Sequence, residues 1–193
     1  TGHSFSDVAD TTGIFISLEN FDQIEVDKEH WTVTIGAGVT YSTLLEELKK
    51  HKVAIENVPS LPHLNVIGSL VTGTHGGGAS KPEIAENILE MEIVDYNGNV
   101  KTLKKNNING EKDRLFDSTV HSFGLLGAIT EVKLRISPEY GIRKCIYENL
   151  SWDVVNNKEL FDEMLASKDF ISFFTTWENP EMTSVWTSEI IDH

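Results

Sequence analysis

The chain has one cysteine, Cys145, so no disulfide can form within it, and no Cys-His grouping has zinc-site spacing. Such sparing use of cysteine fits a reducing compartment, and a cytoplasmic location is the expectation. Basic residues are scarce as well: 16 Lys and Arg stand against 30 Asp and Glu, a net charge of −14. Gripping a phosphate backbone needs clustered Lys and Arg, so no nucleic acid partner is expected. No apolar run approaches the roughly 20 residues that span a bilayer, and membrane insertion is not expected either. No Ser-His-Asp set or carboxylate pair stands out, which argues against a hydrolase. No methionine opens the chain, and Thr1 falls inside what reads as a working motif. A piece of a longer protein is the expectation.

What the chain does have is length for a real core, with 193 residues of which 39% are hydrophobic, and two segments that combine glycine with histidine, the second of them dense in glycine. Gly2-His3-Ser4-Phe5 stands at the start. Gly68-Ser69-Leu70-Val71-Thr72-Gly73-Thr74-His75-Gly76-Gly77-Gly78 follows in the first half. Glycines at this density let backbone N–H groups approach a pyrophosphate, and the hydroxyls of Ser69, Thr72 and Thr74 add donors. A phosphate-bearing cofactor is the first hypothesis.

Around these segments the pattern predicts strands at Ile14–Leu18, Gln23–Val26 and Trp31–Ile35. Thr43 with Glu46 matches a capping box and opens a helix whose stripe is Leu44, Leu45 and Leu48. The stretch from Asn57 to Pro82 reads as a loop packed against something, being both glycine-rich and apolar. Alternation from Ile88 and again to Leu103 predicts a hairpin, with Asn97-Gly98 as its two-residue turn. A helical segment near Arg114–Ser122 leads to a long strand from Ile129 to Ile136. The texture then changes to strand (Ile142–Leu150), helix (Leu160, Phe161, Met164, Leu165) and strands at Ile171–Trp177 and Thr183–Ile190. A boundary near Ser137–Gly141 divides the chain into residues 1–138 and 139–193. Trp152, Trp177 and Trp186, with Phe170, Phe173 and Phe174, read as core residues at strand spacing.

Five segments occur in one order: Thr1-Gly2-His3-Ser4-Phe5-Ser6-Asp7, Val33-Thr34-Ile35-Gly36-Ala37-Gly38-Val39, Ser60-Leu61-Pro62-His63, Gly73-Thr74-His75-Gly76, and Gly124-Leu125-Leu126-Gly127-Ala128-Ile129-Thr130. In that order the chain resembles the vanillyl-alcohol-oxidase-type (PCMH-type) FAD oxidoreductases. Within them it is most similar to the sugar-alcohol oxidases, alditol and xylitol oxidase, and next to the aldonolactone oxidases.

The resemblance implies an α+β fold: a two-part FAD-binding domain with its first strands missing, then the start of an antiparallel-sheet substrate, or cap, domain. It implies FAD bonded covalently to His3, with Gly2 and Ser4 beside it. Gly2 stands where the sugar-alcohol oxidases often carry a basic residue, and in this it resembles the lactone oxidases. Ser60 is implied to sit by the flavin and touch a substrate hydroxyl. Asn65, Gly68, Thr72, Gly73, Thr74, His75 and Gly76 map onto the loop that cradles pyrophosphate and ribityl groups, with His75 as a flavin contact rather than a base. Ile129 maps onto the strand start whose backbone meets the adenine. The implied reaction oxidises a primary alcohol of a polyol by hydride transfer to flavin N5, with dioxygen reduced to hydrogen peroxide. The residues that clamp the substrate are implied to lie further along a full-length chain, so no catalytic residue is assigned. An aldonolactone oxidase or dehydrogenase, a non-catalytic FAD-binding fragment, and a phosphate-binding module unrelated to flavin stay open.

Overall fold

A computed structural model describes residues 2–78, 80–106, 113–178 and 181–191. Residues 14–18 are the first departure from expectation. They form no strand, and Ile14, Phe15 and Ile16 are 90, 74 and 72% exposed. Their β-branched and aromatic side chains favour a strand, but they join none of the described sheets.

Pairing starts with β1 (Ile24–Asp27) and β2 (Thr32–Gly36), which run antiparallel with Val26 opposite Val33. Trp31 has a φ of 54° and belongs to the intervening turn, so β2 begins one residue later than its pattern suggests. α1 (Tyr41–Lys50) starts before the expected capping box: Thr40 is the cap, its Oγ1 accepting from the Thr43 N–H at 3.3 Å. The physical reason is tertiary. The Tyr41 and Ser42 N–H groups donate to Leu64 O (3.0 Å) and Pro62 O (2.7 Å), which satisfies the helix one turn earlier. The buried stripe is accordingly Tyr41, Leu44 and Leu48.

β3 (Val53–Ala54) precedes the glycine-rich stretch, which contains a short helix, α2 (Val66–Val71). The hairpin forms from β4 (Ile88–Val94) and β5 (Val100–Lys104). Its turn is longer than the two residues expected, and of Asn97 and Gly98 only Gly98 takes a left-handed φ (81°). Asp95 decides this, because its Oδ1 accepts from the Asn97 and Asn99 N–H groups and holds an Asx-type turn. α3 (Arg114–Thr119), capped by Asp113, leads to β6 (Ala128–Arg135). That strand lies at the centre of a five-stranded antiparallel sheet of order β1-β2-β6-β4-β5.

β7 (Ser137–Pro138) pairs with β3, and the chain continues through β8 (Gly141–Ser151), α4 (Trp152–Asn156), α5 (Lys158–Ala166), β9 (Phe170–Phe174) and β10 (Glu181–Ile191). The last three strands form a separate sheet of order β8-β10-β9. One core gathers Val33, Ile35, Leu44, Leu70, Met91 and Leu134 around the five-stranded sheet. A smaller one joins Ile171, Met182 and Val185 to partly buried residues of α4 and α5. Trp177 and Phe174, expected inside, are 80 and 42% exposed, because β9 ends at Phe174 and Trp177 turns out to stack on Trp152 at 5.5 Å. The Ile171 N–H donates to Gly77 O (3.1 Å), tying the second sheet to the glycine-rich stretch.

Candidate cofactor site

A cavity of about 680 Å³ opens between the N-terminal segment and α2. Its size is that of a small-molecule or cofactor pocket. Gly2, His3 and Ser4 line it from one segment, Ser60 from another, and Asn65, Gly68, Ser69, Thr72 and Thr74 from α2 and the turn after it. A second cavity of about 340 Å³ shares Asn65, Gly68 and Val71 with the first and is completed by Gly124, Gly127 and Ile129. The two spaces therefore flank the same face of α2.

Asn65 explains why α2 sits there. Its Oδ1 accepts from the Gly68 N–H (2.7 Å) as the helix cap, while its Nδ2 donates to Ala37 O (2.6 Å) and Val39 O (3.2 Å) between β2 and α1. The side chain thus spends its hydrogen bonds on the fold and shapes both cavities by position. Thr72 Oγ1 donates to Gly68 O (3.0 Å) and lies 3.3 Å from Thr74 Oγ1. One step behind the wall, the Ser69 hydroxyl donates to Val66 O (2.7 Å) and meets the Tyr41 hydroxyl at 2.7 Å. Burial pushes the Tyr41 phenol up to about 12, with the Ser69 contact acting the other way.

The His3 ring lies between two others, Phe5 at 5.9 Å and His63 edge-on at 5.4 Å. Gly73, His75 and Gly76 line neither cavity. His75 Nδ1 donates to Gly76 O (2.9 Å), which fixes the proton on that nitrogen. A Cβ on Gly76 would fall 2.4 Å from Asn57 Oδ1, so this glycine is required by close packing. The loop is held from behind by Asn57, whose Nδ2 donates to Pro82 O (3.0 Å) and whose Oδ1 accepts from the Gly78 N–H (3.0 Å). Thr1, in the first motif, lies outside the described residues.

Of the residues read from sequence, Gly2, His3, Ser4, Ser60, Asn65, Gly68, Thr72 and Thr74 meet on the larger cavity, and Ile129 joins Asn65 and Gly68 on the smaller. Phe123 is an addition on the larger cavity, and His63 lines neither cavity but meets the His3 ring. His63 stands in the Ser-Leu-Pro-His segment, so a signal existed. Phe123 gave none, because its place depends on a backbone turn.

The larger cavity has room for a cofactor-sized ligand, while the Ser69 and Thr72 hydroxyls and the Gly68 N–H on its wall already donate within the fold. A Cβ on Gly2 or Gly124 would meet no protein atom beyond its chain neighbours within 4 Å, so each borders open space. Among the described residues, no group of three His, Cys, Asp or Glu side chains is placed to hold a metal. No helix among them is long and apolar enough to cross a membrane.

Residues 1–104 match the model of a family described as FAD binding domain. The chain is 30% identical over 194 residues to the alditol oxidase of a Streptomyces species, covering 99% of this chain and 44% of that protein. It is also 30% identical over 199 residues to a Neurospora crassa protein named as a D-arabinono-1,4-lactone oxidase, covering 99% of this chain and 33% of that one. In fold it matches a cholesterol oxidase from Brevibacterium sterolicum with a TM-score of 0.78 at 18% identity, over 97% of this chain and 39% of that one. The chain therefore spans less than half the length of these relatives.

Proposed function

Because the chain belongs to the FAD-binding domain family, with FAD as its cofactor, we propose that it is the cofactor-holding part of an oxidase that acts on a primary alcohol of a polyol. The observation that carries this reading is the meeting of His3, Ser60, Thr72 and Thr74 on one cavity from three separate stretches of sequence. FAD, when bound, would supply a two-electron acceptor for the carbinol hydrogen, with dioxygen as the final oxidant and hydrogen peroxide as its product.

The chain's own residues hold and orient. His3 carries the cofactor covalently, its ring steadied by Phe5 and His63. Gly2 and Ser4 form the adjoining wall, and Gly68, Thr72 and Thr74 line the space for the ribityl and phosphate groups. Gly73, His75 and Gly76 act from behind, as the turn that delivers Thr74. Ile129 bounds the smaller cavity at the adenine end. Ser60 offers its hydroxyl to a substrate hydroxyl, and no catalytic acid or base is assigned within this chain. We divide it at residue 138: residues 1–138 hold FAD, and residues 139–193 open a substrate domain. The separate cores of the two sheets support that division.

A second reading, an aldonolactone oxidase, is favoured by the equal identity to the Neurospora protein and by Gly2 in place of a basic residue. The test uses the full-length protein. An acid-precipitated pellet that keeps its flavin absorbance, and loses it in His3→Ala, supports the covalent site. Peroxide formed on polyols but not on aldonolactones supports the first reading, and the reverse preference supports the second.

A further inference from the structure

The loop from His121 to Gly127 takes left-handed backbone at His121 (φ 63°), Phe123 (56°), Gly124 (76°) and Gly127 (147°). Glycine adopts such angles freely, whereas a residue as bulky as phenylalanine is strained there. The Phe123 N–H donates to Val71 O at 3.0 Å and so anchors the loop to the end of α2. A glycine would make that bond equally well. The bond accounts for the backbone and leaves the side chain unexplained.

The core does not explain the ring either. Phe123 is 55% exposed, whereas Phe116 and Val120, a few residues earlier, do join the main core. Phe123 instead lines the larger cavity together with Val71 and Thr72, while its neighbour Gly124 lines the smaller. An aromatic ring kept at a glycine-like position, strained and half in water, gains its value from whatever fills the cavity. We propose that Phe123 is a cofactor-binding residue whose ring forms an apolar wall against FAD. The proposal rests on the reading that FAD occupies this cavity.

The experiment compares full-length proteins in a His3→Ala background, where FAD exchange is reversible. Two quantities are read: the Kd for FAD from quenching of flavin fluorescence, and the thermal midpoint of the FAD-free form. Phe123→Gly removes the ring and the strain together. It is expected to weaken FAD binding about tenfold, the loss of one well-buried apolar contact, while the FAD-free midpoint holds or rises. Phe123→Leu, which keeps apolar bulk, is expected to fall between. An unchanged Kd in Phe123→Gly overturns the inference, and so does a midpoint lowered by several degrees, which would make the ring a packing element of the loop. If the protein with His3 intact holds no FAD at all, the reading of the cavity fails first and takes the inference with it.

Discussion

The Tyr41 hydroxyl lies 2.7 Å from Ser69 Oγ, and both residues are buried where α1 meets α2. Ser69 already donates its hydroxyl proton to Val66 O, so Tyr41 is the donor between the two. This order makes the two possible deletions unequal. Tyr41→Phe removes a donor and leaves Ser69 with a partner, at a cost of about 1 kcal/mol. Ser69→Ala leaves a phenol hydroxyl buried without its acceptor, at a cost of about 2 kcal/mol. Chemical denaturation of the two variants is expected to rank Ser69→Ala as the weaker protein.

The same contact gives a pH dependence with a definite sign. Burial raises the Tyr41 phenol from 10 to about 12 in the folded chain. Below pH 10 both states keep the proton and nothing is lost. As the pH rises from 10 towards 12 the unfolded chain releases it first, and stability falls by about 1.4 kcal/mol per pH unit. Lysines and other tyrosines titrate in the same range, so the difference between the unmodified protein and Tyr41→Phe is the useful quantity. The stability advantage of the unmodified protein should shrink across that window. A difference that stays constant from pH 9 to 12 would contradict this origin.

Elements whose signal is local were legible in the sequence. Alternation through Met91 and Ile93 gave β4, and Leu44 with Leu48 gave α1. What sequence missed depends on distant partners. The cap moved from Thr43 to Thr40 because Leu64 and Pro62 supply carbonyls to the helix start. α2 was hidden because Gly68 and Ser69 read as loop residues until Asn65 ties them to Ala37 and Val39. The strand expected over residues 14–18 has the right composition but pairs with none of the described strands. At the site, Ser60 and Thr72 stood in recognisable segments, whereas Phe123 depends on a backbone angle that no residue pattern announces.

Asn57 is buried with a φ of 59° and clasps the glycine-rich loop at two points, Gly78 and Pro82. Asn57→Ala would leave the buried Gly78 N–H and the Pro82 carbonyl without these partners and would put a Cβ residue less tolerant of that angle in its place. The expected cost is about 3 kcal/mol, read from urea unfolding. Asn57→Gly keeps the backbone at ease and should recover about 1 kcal/mol of that. Hydrogen exchange at the Gly78 amide is expected to quicken in both. Protection unchanged at Gly78 would mean that the loop is held by other contacts.

Gly127 and Gly98 both adopt left-handed backbone, yet they should respond differently to a methyl group. A Cβ on Gly98 would meet nothing within 4 Å, so Gly98→Ala carries only the strain of a φ of 81°. That is worth about 1 to 2 kcal/mol. A Cβ on Gly127 would sit 2.5 Å from Val94 O and 2.9 Å from Ile93 Cγ1. The obstacle at Val94 is backbone in a paired strand, which cannot swing aside as the end of a side chain can. β6 and β4 must part locally, where Val94 pairs with Ala128, so Gly127→Ala should cost about 3 kcal/mol or more. Because Gly127 also lines the smaller cavity, the same substitution is expected to weaken FAD binding, whereas Gly98→Ala is not. Thermal midpoints and FAD titrations of the two variants side by side separate strain from collision. Equal losses of stability would show that β4 yields at Val94 more easily than its pairing implies.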